Sequence, residues 1–268
     1  LILLFFVFSA NLSAAQYGKT ILGMYKSSDG FSENDNPIKW HFEPEILKMG
    51  LKIEYRDFDS GTPKADLQND VRAVLTWYNS AVIPNKKTGQ EYIAFLNKAV
   101  DANCKIIAVN SFGVYGYKEN GIEKWDLLND INPLFKKLGF QFKGFWTDNP
   151  DKLRIVSKDS FIAEKDAKQD LKFSRHYQQI VPIRNDVESY LTIQRTDNIK
   201  GIGDGNSSVI LSSRNGGFAL ERFVLSGNKL MLNCPEFLRR ALFFDDGYQD
   251  VWVIIGDIKN KKFVSDNL

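Results

Sequence analysis

Ser111, in the stretch AVNSFGVYG, stands just past an apolar run, KIIAV, that reads as a buried strand. A serine on a tight turn at a strand end can act as a nucleophile if a histidine takes its proton and a carboxylate orients that histidine. The chain has two histidines, His41 and His176. The order Ser111, His176, Glu188 would supply a hydrolase or an amidotransferase relative with a triad. The usual elbow, G-x-S-x-G, needs both glycines because strand and helix approach closely there. Here Val109 and Gly113 flank Ser111, so half of that pattern is missing. A lone histidine is more often a surface or satisfied core residue than a base, and the triad is the minor reading.

Two carboxylate pairs, Asp57 with Asp59 and Asp245 with Asp246, have no histidine near them in sequence. Oxygen-only sites for hard cations can be built from such pairs, but they read more simply as solvated loops, so no metal is assigned. GIGDGNSS, residues 201–208, looks like a phosphate loop. A phosphate cradle needs a helix N-terminus after it, whereas SSVILSS follows here and reads as a strand. The segment is therefore a hairpin turn, and no cofactor is expected. RNGG, residues 214–217, reads as a second turn, with Asn215 and Gly216 at positive φ.

The more promising chemistry is recognition. VRAVLTWYNS ends a strand on Trp77, Tyr78 and Asn79, and other strand ends supply Ser27, Ser28, Asp29, Asp57, Asp59, Asn110, Ser111 and Phe112. In an open parallel sheet, ligands sit beyond the carboxyl ends of the strands. Aromatic faces beside short polar side chains suit sugar rings, which offer C–H faces and hydroxyls. Asp29, Trp77, Tyr78, Asn79, Asn110 and Phe112 are thus candidate ligand residues for a polysaccharide or oligosaccharide. The competing reading is that Trp77 and Phe112 cap the core while the polar groups close loops.

The elements that would position these residues alternate. KTILGMY is a strand; Asn36 and Pro37 start a helix predicted to reach Met49, with Gly50 as its stop. LKIEYRDF and AVLTWY are strands. Thr88 and Glu91 form a capping-box pair for the helix in QEYIAFLNKAVDAN, whose Ile93, Leu96 and Val100 recur at helical spacing. KIIAVN is the next strand and SFGVYGYKENG a loop; a helical segment follows that ends in NPLFKKLG, where Asn132 and Pro133 start a last short helix and Gly139 ends it. The remainder is β-rich: LRIVS, SYLTIQR, SSVILSS, FALERFVL, KLMLN, then a helix in PEFLRRALFF and a strand in DVWVIIGD. The expected fold is α/β, a doubly wound, mostly parallel sheet whose β-rich C-terminal portion completes the same domain.

Bulk properties agree with a globular chain. Of 268 residues, 43% are hydrophobic and 25% charged, and a chain of this size buries roughly 70–75% of its unfolded surface. A net charge of +2, from 35 basic and 33 acidic residues, provides no basic field for nucleic acid. Residues 1–15, LILLFFVFSANLSAA, read as the apolar and cleavage regions of a signal peptide, truncated at its N-terminus, since the chain opens without Met or a positive region. The run is too short for a membrane span. Export would place Cys104 and Cys234 in an oxidising compartment, where they pair or stay buried as thiols, the second being favoured.

AVLTWYNSAVIP followed by a helix and KIIAVNSFGVYGY, then SYLTIQR, NGGFALERFVL and LMLNCPEFLRRAL, carry a family resemblance. Over most of residues 19–245 the chain resembles the class I glutamine-amidotransferase-like α/β domain of secreted bacterial polysaccharide-deacetylase proteins of the Pel type. The resemblance implies a domain over 16–245 without the amidotransferase nucleophile, preceding a metal-dependent deacetylase. Residues 246–268 would then be a terminal strand and tail, with two alternatives open: they start a covalently linked deacetylase domain that continues beyond Leu268, or the protein has no such domain. The family's His and paired Asp have no counterpart in GDIKNKKFVSDNL, so no ligand set transfers. The expected function is an exported, periplasmic or extracellular accessory domain that contacts carbohydrate during exopolysaccharide or cell-envelope modification; a structural or dimerisation domain is the remaining alternative.

Overall fold

The computed structural model describes residues 18–67, 69–146, 153–159, 162, 177–195, 206–220, 225–226, 229–230, 232–244, 254–257 and 262–265. The signal-peptide region, His176, Asp245, Asp246 and most of the 196–206 turn lie outside these residues.

The frame is one sheet. β1 (Thr20–Tyr25), β2 (Lys52–Asp57), β3 (Val71–Trp77), β5 (Lys105–Val109) and β13 (Gly216–Ala219) pair in parallel in the order β2-β1-β3-β5-β13. This is the flavodoxin-type order, in which the first strand lies between the second and third. β12 (Asn206–Ser213), β11 (Glu188–Arg195) and β9 (Leu153–Ser157) then extend the same sheet in antiparallel fashion. The α/β class and the joining of the β-rich portion to one sheet are as expected, with the parallel part carried by five of its eight strands.

Every residue of β3 is buried, as a strand covered on both faces requires. Its end shows the two layers directly. Trp77 packs against His41 and Phe42, with centroids at 5.5 and 5.7 Å, while the next residue, Tyr78, shares a 2.9 Å hydroxyl hydrogen bond with Tyr92. Successive strand residues point to opposite faces, so α1 (Pro37–His41) and α3 (Lys86–Asp101) cover opposite sides of the sheet. α4 (Leu127–Lys137) lies beside α3, and α5 (Cys234–Phe243) packs on β5, β12 and β13 with α2 (Glu43–Lys48) against it.

Several details differ from the sequence reading. The first helix breaks at Phe42 into α1 and α2, because the Pro44 ring conflicts with the carbonyl four residues back. α3 starts earlier than expected: its cap is Asn85, whose Oδ1 accepts from Thr88 N at 2.9 Å. α4 runs straight through Pro133, because Leu127, Ile131, Leu134 and Phe135 form one buried stripe that holds both halves. The loop after β5 carries β6 (Gly116–Glu119) and β7 (Ile122–Lys124), with β6 paired to β4 (Val82–Ile83).

β8 (Phe140–Trp146) and β10 (Tyr177–Pro182) form an antiparallel ribbon that the sequence reading did not separate. β14 (Leu225–Ser226) with β15 (Lys229–Leu230), and β16 (Ile254–Asp257) with β17 (Lys262–Ser265), are two-stranded pairs. Cys104 and Cys234 are buried and free.

The turn between β12 and β13 differs in one respect: of its residues only Gly216 has positive φ, +136°, while Asn215 does not. A Cβ at Gly216 would lie 1.8 Å from the Ile106 carbonyl oxygen. Gly216→Ala is therefore expected to cost about 3 kcal/mol or more, from strain and backbone collision at the seam between β5 and β13. Urea unfolding of wild type and variant measures it; equal midpoints would show that the seam relaxes freely.

Candidate functional site

The carboxyl ends of β1, β3 and β5 meet at Lys26, the residue directly after β1. Its side chain is 1% exposed. The Nζ donates to three backbone carbonyls, Ser80 at 3.0 Å, Val82 at 3.2 Å and Gly113 at 2.9 Å. An ammonium has three donors and no acceptor, so each proton has a partner. The rings of Phe58 and Tyr78 lie 5.2 and 5.1 Å away, within cation–π range. Burial draws the pKa down to about 8, against the pull of Asp29 and Asp59.

The carboxylates at this rim are committed to backbone. Asp29 accepts from Asn79 N at 2.8 Å and Ser80 N at 3.2 Å. Asp57 accepts from Ser27 N and Asp59 N, and Asp59 from Ser28 N at 2.7 Å and the Ser27 hydroxyl at 3.2 Å. Together they close the loops after β1, β2 and β3 onto one another. Among the described residues no group of three or more His, Cys, Asp or Glu could hold a metal.

The turn after β5 is tight. Asn110 has φ +69°, and Ser111 N donates back to Val109 O at 2.9 Å, the pattern of a strained γ-turn. Strain of this kind is what a nucleophile elbow uses. The strained residue is nevertheless Asn110, one position before the serine. Its side-chain amide donates to Tyr78 O at 2.9 Å. Ser111 is 2% exposed, and its hydroxyl accepts from Gly113 N at 3.0 Å. A β-hairpin follows in place of the helix an elbow would lead into.

Of the candidate residues, Trp77, Tyr78 and Phe112 are 0% exposed. Their faces are spent inside the protein, Phe112 edge-on to Phe135 at 4.9 Å. Asn79 is exposed and Asn110 partly so, and both flank the Asp29 and Lys26 network. Ser111 and Glu188 are far apart. Glu188 pairs with Ser212, which pairs with Gly217, which pairs with Ile107. The two residues are thus separated by three strand spacings, about 14 Å, and by four residues along the strands. Glu188 instead accepts from the Tyr190 hydroxyl at 3.0 Å. His41 is half-buried against Trp77, and burial lowers its pKa.

Sequence reasoning missed Lys26; its only signal is a lone cation directly after the apolar run TILGMY. It also missed Trp40, 52% exposed on α1 and edge-on to Phe31 at 6.3 Å.

No family model matches the chain, and no curated protein does. Solved structures similar to it include a glutamine amidotransferase from Methylobacillus flagellatus, 14% identical with a TM-score of 0.34, over 66% of this chain and 65% of that one. Another is a glutamine amidotransferase from Thermotoga maritima, 9% identical with a TM-score of 0.35, over 76% and 75% of the two chains. The chain thus spans just under two-thirds of the Methylobacillus protein. At these TM-scores neither likeness bears on chemistry, and the fold class rests on the strand order itself.

Lys26 gives a signed pH effect. Its folded pKa, about 8, lies below the value of 10.5 for a free lysine. Between these values the unfolded chain holds the proton and the folded one does not, so stability rises with pH across that window. Lys26→Met is expected to be the less stable protein throughout, because three carbonyls lose their donor. Its deficit should widen by about 2 kcal/mol between pH 7.5 and 9.5. Cys104 and Cys234, pushed up by burial to about 11 and about 12, act in the opposite sense but equally in both proteins. Urea unfolding at the two pH values reads the difference; a constant or shrinking gap would refute the buried-charge account.

Proposed function

We propose that this chain is a non-catalytic, exported accessory domain that contacts carbohydrate in bacterial exopolysaccharide or cell-envelope modification. Any covalent chemistry on the polymer belongs to a linked deacetylase domain. The observation that carries the non-catalytic part is the closed rim. The Lys26 ammonium, the carboxylates of Asp29, Asp57 and Asp59, and the Ser111 hydroxyl all meet backbone groups of the loops they join. The strained position after β5 bears a carboxamide, which is no nucleophile.

Carbohydrate contact is supported by the aromatic surface beside this rim. Trp40 is half exposed, crosses Phe31 and His41 at right angles, and continues through His41 to Trp77 at the end of β3. An exposed indole braced from the side suits the C–H face of a pyranose. Trp77 itself serves the core.

Titration of the purified chain with acetylated and deacetylated amino-sugar oligomers, followed by tryptophan fluorescence and calorimetry, tests the reading. Wild type is expected to bind, and Trp40→Ala to bind about tenfold more weakly with unchanged unfolding. No binding across the panel would overturn the carbohydrate reading. Hydrolysis of glutamine or an ester by the wild type, lost in Ser111→Ala, would overturn the non-catalytic one.

A further inference from the structure

Where the β8/β10 ribbon lies against the antiparallel half of the sheet, there is a cleft of about 220 Å³ lined by Lys158, Val181, Pro182, Ser189, Thr192, Gln194 and Ser208. Its lining is unusual for a sheet face. Ser208 and Thr192 are buried hydroxyls paired across β12 and β11. Ser189 lies three residues before Thr192, so on a regular strand it would point to the other face. It lines the same cleft because the β11–β12 register shifts on both sides of Leu191. Bulges of this kind re-aim side chains next to functional sites. The Lys158 N–H donates to the Tyr190 carbonyl at 2.8 Å and pins the irregular segment. The Ser189 and Ser208 hydroxyl oxygens stand 2.8 Å apart as a result.

The groups of this cleft retain hydrogen-bonding capacity. The two serines share one hydrogen bond, which leaves a hydroxyl hydrogen and several lone pairs for an outside partner. Gln194 Oε1 accepts from Arg154 at 2.8 Å, and its amide N–H groups have no partner among the described residues. Thr192 donates weakly to Val156 O at 3.4 Å and keeps its acceptor sites. Lys158 is exposed and meets no carboxylate among the described residues. Val181 and Pro182 provide an apolar wall. A cation, an amide donor and three hydroxyls around a space below the range of drug-sized pockets define the complement of a small polyhydroxy anion.

We propose that this cleft binds a single acidic sugar unit, a uronic acid whose carboxylate meets Lys158 and whose ring hydroxyls meet Ser189, Thr192 and Ser208. This rests on the carbohydrate-contacting reading and adds a charge preference and a second place of contact, distinct from Trp40. Calorimetric titration with methyl glucuronide and the uncharged methyl glucoside tests it on wild type, Lys158→Glu, Ser189→Ala and Trp40→Ala. Wild type should favour the glucuronide by about tenfold or more, as a charge-assisted hydrogen bond would give. Lys158→Glu should abolish that preference and Ser189→Ala weaken binding of both sugars, while Trp40→Ala should leave the glucuronide unaffected. Lys158 is exposed, so its loss should leave the fold intact, and unfolding midpoints check this. Glucuronide binding that survives Lys158→Glu, or is lost in Trp40→Ala, overturns the cleft as its site. Absence of glucuronide binding while amino-sugar oligomers still bind through Trp40 overturns the cleft alone. Absence of both overturns it together with the carbohydrate reading.

Discussion

The buried ammonium of Lys26 sets the shape of the end of this molecule where an α/β protein ordinarily does its chemistry. A single charge meets carbonyls from the loop after β3 and from the loop after β5. In a low-dielectric setting such contacts are strong when complete and costly when broken. The loops are therefore held at one separation, and Tyr78 and Phe58 close over the charge. Gly113, at φ +74°, has to be glycine here, since a Cβ would lie 2.4 Å from the Tyr78 ring. The lysine, the ring and the glycine thus depend on one another.

That closure explains what the polar residues of the rim do. Carboxylates and hydroxyls that look available in the sequence cap backbone N–H groups instead, as short loops between buried strands demand. The γ-turn at Asn110 follows the same logic. Its side-chain amide and backbone carbonyl are both engaged, by Tyr78 O and by Gln178 Nε2. Tyr115 then donates to Gln178 at 2.7 Å, so the turn is braced from β10.

Much of the frame was legible in the sequence because it depends on local pattern. β3 and β5 are continuous apolar runs, the Asn36–Pro37 pair starts a helix, and the alternation up to Asn110 announces parallel crossovers. What escaped depends on long-range geometry. Pro133 is a helix breaker by propensity, but the apolar stripe on either side outweighs one lost hydrogen bond. Asn85 and Thr88 are both good caps, and which one serves is decided by where Gly89 packs, with Ile83 and Leu127 so close that a Cβ would meet both within 2.7 Å. Trp77 and Phe112 have the residue types of a ligand platform, and only the layers above and below show that they belong to the core. Lys26 escaped because a lysine after a strand is ordinarily solvated, and its carbonyl partners lie 54 to 87 residues away.

The two halves of the sheet divide accordingly. In the parallel half Lys26, Asp29, Asp57 and Asp59 near the strand ends are engaged by the loops, and the residues of β3 and β5 are buried. The antiparallel half places hydroxyls inside: Ser207, Ser208, Ser212, Ser213 and Thr192 are all buried. Several of these are structural. Ser207 accepts from Ile180 N and donates to Gln178 O, which ties β10 to β12, and Ser213 donates to Leu138 O. Among the described residues the Ser208 and Ser189 hydroxyls meet only each other. Buried polar groups are normally retained where they are fully satisfied. A pair that meets only itself among the described residues, brought together by a shifted register beside a lysine that meets no carboxylate among them, fits a surface shaped for a polar ligand better than one shaped for packing.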